Sequence, residues 1–330
     1  MVNIIMPAYN AHATIRQAVA SVAMQDDLDN ILLTIVDDCS DKPYNYLIDD
    51  FRYMKIEVLR KPTNTGCGQS RQYGIDRCKC KYFMFLDADD CLYSPDAVKK
   101  IHSYMENEHL DFLYSDFLEE LNTGDYFLHQ NNGTWMHGKI FRTNYIRKKN
   151  IRFNETRIHE DHAFNIIVHS SGGKNLYIDY TTYVWKINPQ SLTRSPHSFD
   201  YAMNNYIKNA EYTISELIKR NIKNEKIDLI LKKYILSFYK YYNIGLSHNI
   251  SNSEIEKFLY NISHFLVNIP SDILLKLSKE FLLEDFYEDY SIQEMIDNNV
   301  IFNISFNEYY VRFINPYIPI CNYQKQEHFV

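Results

Sequence analysis

Short apolar runs alternate with amphipathic stretches over the first ninety residues. Val2–Met6 is apolar and strand-like, and Ile15, Ala18, Val19 and Val22 then fall on one face of a helix over Thr14–Met24. Ile31–Val36 is a continuous apolar run of the kind buried on both faces of a sheet. A strand at Ile56–Leu59, a glycine-containing loop, a short helix around Gln69–Arg77 and a strand at Tyr82–Leu86 complete the set. Strand and helix alternating at this spacing predict a mostly parallel sheet with crossover helices, and in such sheets ligands sit beyond the carboxyl ends of the strands. Three of the predicted strands end in polar signatures: Pro7-Ala8-Tyr9-Asn10, Asp37-Asp38-Cys39-Ser40 and Asp87-Ala88-Asp89. All three are expected to line one crevice.

Further along, Ser94-Pro95-Asp96 supplies a capping serine and a first-turn proline, so Ala97–Met105 is expected to be helical, followed by a strand at Asp111–Phe117. Residues 118–160 read as irregular and carry His129, Trp135, His137 and Gly138 close together, as a binding loop on a rigid scaffold would. Glu160-Asp161 opens a helix through Phe164, Ile167 and Val168, and Tyr177–Ile178 with Tyr183–Ile187 read as a final strand pair. After about residue 200 the pattern is helical alone. Ile207, Ala210, Ile214 and Leu217 form one stripe, Ile230, Tyr234, Phe238 and Tyr242 a second, and Ile255, Phe258, Leu259, Ile262 and Leu266 a third, with turn-like breaks at Asn249–Ser253 and Asn268–Ser271. The expected organisation is an α/β domain over 1–200 and a smaller all-helical domain over 201–330 that binds acceptor or mediates oligomerisation.

Composition narrows the function. A net charge of −7 gives no global attraction to phosphate backbones, and beyond Arg147-Lys148-Lys149 no basic patch stands out, so nucleic acid is not the expected partner. Val2–Met6 is too short for a signal-peptide core or a membrane span, which predicts a cytoplasmic protein without an integral membrane segment and leaves peripheral membrane contact open. The six cysteines show no Cys-x-x-Cys pair and read as reduced thiols.

The chemistry concentrates at Asp87 and Asp89. In an extended segment, residues two apart project to the same side, so their carboxylates can converge on a hard divalent ion or on a ribose and an ion. Residues 2–195 then resemble family 2 glycosyltransferases of the GT-A fold, in motif order and spacing: Pro7-Ala8-Tyr9-Asn10, Val36-Asp37-Asp38-x-Ser40, Asn64-x-Gly66 with Ser70-Arg71-x-x-Gly74, Asp87-x-Asp89, and Glu160-Asp161. The resemblance implies a Rossmann-like sheet flanked by helices, and inverting transfer of a sugar from a UDP-sugar to a hydroxyl of a glycan, cell-surface polysaccharide or lipid-linked acceptor. It implies a nucleotide site of Pro7, Ala8, Tyr9, Asp38, Asn64, Gly66, Arg71, Asp87 and Ala88, with Asp38 accepting from the base and Tyr9 packing beside it. Asp89, with Asp87, would ligate Mn²⁺ or Mg²⁺, with His197 as a third ligand to be tested. Asp161 would be the general base. Trp135, His137, Gly138, Lys139 and Glu160 would line the acceptor or sugar pocket.

Two departures stand out: Cys39 occupies a place where glycine is more usual, and Ser70 one where alanine is. Two other readings are carried. One is glycosylation of hydroxymethylated DNA bases, against which the acidic charge counts; the other is a non-catalytic nucleotide-sugar-binding protein, which would need no base.

Overall fold

The computed structural model describes residues 1–189, 191, 197–248, 250–275 and 304–317. Arg194-Ser195-Pro196, Asn249, Cys321 and the parts of the expected helical domain at 276–303 and 318–330 lie outside the described residues. The chain divides into two compact units, Met1–Pro196 and the residues from His197 onward.

In the first unit, β1 (Val2–Ala8), β2 (Ile31–Asp37), β3 (Lys55–Arg60) and β4 (Tyr82–Phe85) form a parallel group in which Ile4 lies opposite both Leu33 and Met84. The crossovers are α1 (Ile15–Ala23), the short α2 (Tyr46–Asp50) and α3 (Cys67–Arg77); Ile15, Ala18, Val19 and Val22 of α1 are buried as their spacing predicts. β1 is longer than its apolar run, because Pro7 and Ala8 still pair with Val36 and Asp37. The Ile5 carbonyl faces β4 and accepts from Leu86 N–H, so Pro7, two residues on, faces the same edge past the end of that ladder, where its missing N–H removes no bond.

Beyond β4 the pattern departs from expectation. Residues 118–160, read as irregular, contain β7 (Tyr126–His129), β8 (Lys139–Arg142) and the short α5 (Thr143–Lys148). β8 was illegible because it is four residues long with a cation at each end, and β7 because Tyr126, Phe127 and Leu128 are all exposed and show no alternation. The expected final strand pair is one strand, β9 (Asn175–Trp185), whose register against β6 (Phe112–Glu120) shifts around Asp116 and breaks the two-residue period. The short β5 (Cys91–Leu92) pairs antiparallel with β9. The sheet order is β3-β2-β1-β4-β8-β6-β9-β5, with β7 on β6.

Since β8 is antiparallel to both β4 and β6, and β9 is parallel to β6, the carboxyl ends of β1, β2, β4, β6 and β9 share one edge, at which β8 begins. One sheet face packs Ile4, Met6, Leu33, Met84 and Leu113 against α1 and α4 (Ala97–Asn107). The other is aromatic. Phe83 stacks on Phe141, and Phe153 stacks at 4.2 Å on Phe164 of α6 (Glu160–Ser170), which seats that helix on the sheet.

The second unit contains α7 (Phe199–Lys219), α8 (Asn224–Ser247) and α9 (Asn252–Val267). Ser198 and Ser251 cap α7 and α9 by accepting from Tyr201 and Glu254 amides. The predicted stripes are its buried faces, with Ile230 and Leu259 half-buried at their margins. Among the described residues no helix is long and apolar enough to cross a membrane.

Candidate active site

At the β1 and β2 ends, Tyr9 is exposed and the following turn is tied across to the second motif, with Asn10 N–H donating to Ser40 Oγ. Asp37 is fully buried and held by Arg60 at 2.7 Å. Asp38, also buried, accepts from the Thr65 and Gly66 amides at 3.0 and 2.7 Å and from Lys61 Nζ at 2.7 Å. It therefore organises the loop ahead of α3. Lys61 also donates to Ser70 Oγ at 3.1 Å, which gives the serine at this position a partner that alanine would not offer. Asn64 Oδ1 accepts from Arg157, a rim cation the motifs did not point to.

Cys39 sits at φ 67°, in the left-handed region. That geometry explains why glycine suits the position, since a Cβ there costs roughly 1–2 kcal/mol, partly offset by the entropy glycine loses on folding. Cys39→Gly is expected to raise unfolding free energy by about 0.5–1 kcal/mol in urea titration. A loss of stability would show that the contact of its Sγ with Pro62 O, at 3.4 Å, outweighs the strain.

Arg71, on α3, is the hub of the site. Its guanidinium is almost wholly buried and reaches both Asp87 oxygens at 2.7 and 2.9 Å and Glu160 Oε1 at 2.8 Å. It thereby joins the end of β4 to the start of α6. The two helices meet closely at Gly68, where an added Cβ would lie 2.5 Å from Glu160 Cγ. Burial pushes Glu160 up to about 7, opposed by the Arg71 guanidinium it shares with Asp87 and aided by repulsion from Asp161, while Arg71 stays protonated.

The stability effect of Glu160 has a definite sign. A carboxyl that keeps its proton to a higher pH in the folded chain contributes stability that is full below its ordinary value of 4.5 and lost as pH rises through about 7. Glu160→Gln cannot titrate and is expected to lose less melting temperature than the parent between about pH 5 and 8. Parallel melting curves for the two proteins across that range would contradict the assignment.

Asp87 to Asp90 form a turn, with the Asp90 amide donating to Asp87 O. Asp89, half-buried, accepts from Asn188 Nδ2 at 2.8 Å. Asp90, which the motif reading passed over, is buried and accepts from the Tyr183 hydroxyl at 2.5 Å and the Lys186 amide at 2.8 Å. Burial, with Asp89 and Asp87 nearby, pushes its carboxyl well above the usual range. Asp87, Asp90 and His137 bring one ligand atom each within 4.8 Å of one another. His137 Nδ1 is buried with no hydrogen-bond partner, and burial pulls the imidazole down to about 3, so it is neutral at ordinary pH. His197 belongs to the second unit and packs on Tyr201 at 5.2 Å.

Asp161, half-buried in the first turn of α6, accepts from the His162 amide at 2.9 Å. Lys139 opens β8 almost fully buried and donates to Asn132 O and Trp135 O. Burial pulls it down to about 7 against the pull of the Asp161 charge. Trp135 and His137 precede it on the 130–138 loop.

A model of Glycosyl transferase family 2 matches residues 3–166, the span that holds all of these motifs. Residues 3–166 belong to that family. An uncharacterized glycosyltransferase of Haemophilus influenzae is 32% identical to this chain over 115 residues, 34% of this chain and 38% of the relative. A UDP-Glc:alpha-D-GlcNAc-diphosphoundecaprenol beta-1,3-glucosyltransferase of Escherichia coli is 31% identical over 120 residues, 36% of this chain and 47% of the relative. Each alignment spans less than half of its relative. Staphylococcus aureus TarS, residues 1–349 solved in complex with UDP-GlcNAc, superposes with a TM-score of 0.71 over 83% of each chain at 19% identity. That likeness shows the fold, the GT-A type expected from the motifs.

Proposed function

We propose that the chain is an inverting, metal-dependent glycosyltransferase that moves a sugar from a UDP-sugar to a hydroxyl of a glycan, cell-surface polysaccharide or lipid-linked acceptor. The observation that carries this reading is the Arg71 fork, which holds Asp87 and the start of α6, and so Asp161, around one sheet edge. UDP as the donor nucleotide is supported by the donor named for the Escherichia coli relative and by the ligand of the TarS complex. The five described cysteines are free thiols, in keeping with work in a reducing cytoplasm.

The donor set suits Mn²⁺ or Mg²⁺: carboxylate oxygens of Asp87 and Asp90 and the neutral imidazole of His137, with Asp89, the ligand of the family pattern, adjacent in the same turn. A divalent ion bound there would offset charge on the departing diphosphate. The protein's own groups do the rest. Arg71 fixes Asp87, Tyr183 and the Lys186 amide fix Asp90, Tyr9 offers a ring at the nucleotide end of the crevice, and Asp161 takes the proton of the attacking hydroxyl. A single displacement needs no second nucleophile.

A donor screen tests this. Purified chain with Mn²⁺ is expected to release nucleoside diphosphate from a UDP-sugar, faster than from GDP- or TDP-sugars, and to lose the activity on chelation. Full turnover in excess EDTA would remove the metal from the account, and preference for a GDP-sugar would remove UDP.

A further inference from the structure

The chain has two tryptophans, and the fold brings them together. Trp135, on the loop before β8, and Trp185, at the carboxyl end of β9, lie with ring centroids 4.8 Å apart, tilted by 42°. His137 stacks beside both, at 5.8 and 5.4 Å, and itself stacks on Tyr183 at 4.6 Å. Both indoles are half-buried, so each keeps surface open to solvent.

Their place in the sheet is informative. The nucleotide-side groups Tyr9 and Asp38 follow β1 and β2, on one side of β4; Trp135 and Trp185 adjoin β8 and β9, on the other. Asp87 follows β4 itself and divides them. The shelf thus stands on the same edge as the reacting groups but away from the nucleotide side.

The Trp135 loop is also held rigid. Lys139 ties Asn132 O and Trp135 O, Asn132 Oδ1 accepts from the Thr134 and Trp135 amides, and Asn165 of α6 donates to Thr134 O at 2.7 Å. Gly138 closes it at φ 65°, where an added Cβ would meet Ser115 O at 2.9 Å. A buried ammonium is a costly tie for a surface loop, and the same α6 carries Asp161. Ring orientation and base position therefore share one support.

We propose that Trp135 and Trp185 form the shelf on which a pyranose ring of the acceptor stacks, so that the acceptor ends in a sugar ring rather than in a polyol phosphate. This rests on the transferase reading above. The C–H face of a pyranose is the apolar surface that suits an indole. A polyol phosphate has no such face, and the two described lysines beside the shelf are committed elsewhere. Lys139 is spent on two carbonyls and Lys186 is paired with Glu120 at 2.8 Å.

Because both tryptophans sit here, the intrinsic indole emission of the unmodified chain reports on this shelf alone. Titration of the full chain, without donor, with N,N′-diacetylchitobiose and cellobiose is expected to shift that emission saturably for at least one of them, and glycerol phosphate to leave it unchanged. Trp185→Leu and Trp135→Leu are each expected to raise the KM for a pyranose-ended acceptor about threefold to tenfold, with UDP affinity within twofold of the parent. An unchanged emission with both disaccharides while UDP still binds would overturn the shelf and leave the transferase reading standing. Transfer to a polyol phosphate at a rate equal to that with pyranose-ended acceptors would overturn it too. Failure to bind UDP at all would count against the transferase reading instead.

Discussion

Asp161→Asn is expected to lower the transfer rate by about a hundredfold or more while leaving UDP affinity near that of the parent. The substitution keeps the side chain's size and its acceptance of the His162 amide, and removes only the capacity to take a proton. Asp161 follows Glu160 on the helix that Arg71 ties to Asp87, and the proposed reaction gives it the proton of the attacking hydroxyl. A carboxylate that merely favours the α6 N-terminus would instead contribute about 0.3–1 kcal/mol to stability and nothing to rate. Rates and melting temperatures measured on the same preparation separate the two. If the Asn variant keeps more than a tenth of the parent rate while its melting temperature drops, Glu160 and His137 become the residues to test.

The largest effect on stability is expected at Arg71. Arg71→Met leaves Asp87 and the buried Glu160 without their shared cation, and breaking a buried ion pair from one side costs about 3–5 kcal/mol. Adding Glu160→Gln to that variant is expected to recover part of the loss, because the uncompensated buried carboxylate is then gone. Urea unfolding of the two variants beside the parent measures both. A loss under about 1 kcal/mol for Arg71→Met would mean that the fork is a surface-like pair, contrary to its burial.

The strand ends were legible because each combines an apolar run with a polar terminus, and both signals are local. Tyr9, Asp38 and Asp87 could be assigned to one edge of the sheet from order alone, since a parallel sheet sends all its carboxyl ends the same way. What was not legible depends on partners far apart in sequence. Asp90 drew no attention in the sequence, because the Tyr183 hydroxyl that donates to it lies 93 residues on. Trp185 gained its meaning only from Trp135, because a bulged β9 and a four-residue β8 hide the pairing that brings their ends together. Asp38 was read as a ligand for the base, and its bonds to Lys61, Thr65 and Gly66 could not be anticipated from a motif that records residue types alone. The Cys39 departure became intelligible once its φ was known.

The donor is expected to bind at the sheet edge formed by the carboxyl ends of β1, β2 and β4. A crystal structure of the chain with UDP and Mn²⁺ tests this most directly. Uracil is expected beside Tyr9 and Asp38, with the diphosphate and ion against Asp87, Asp89, Asp90 and His137; UDP bound on the helical unit, or at another edge of the sheet, would contradict this placement.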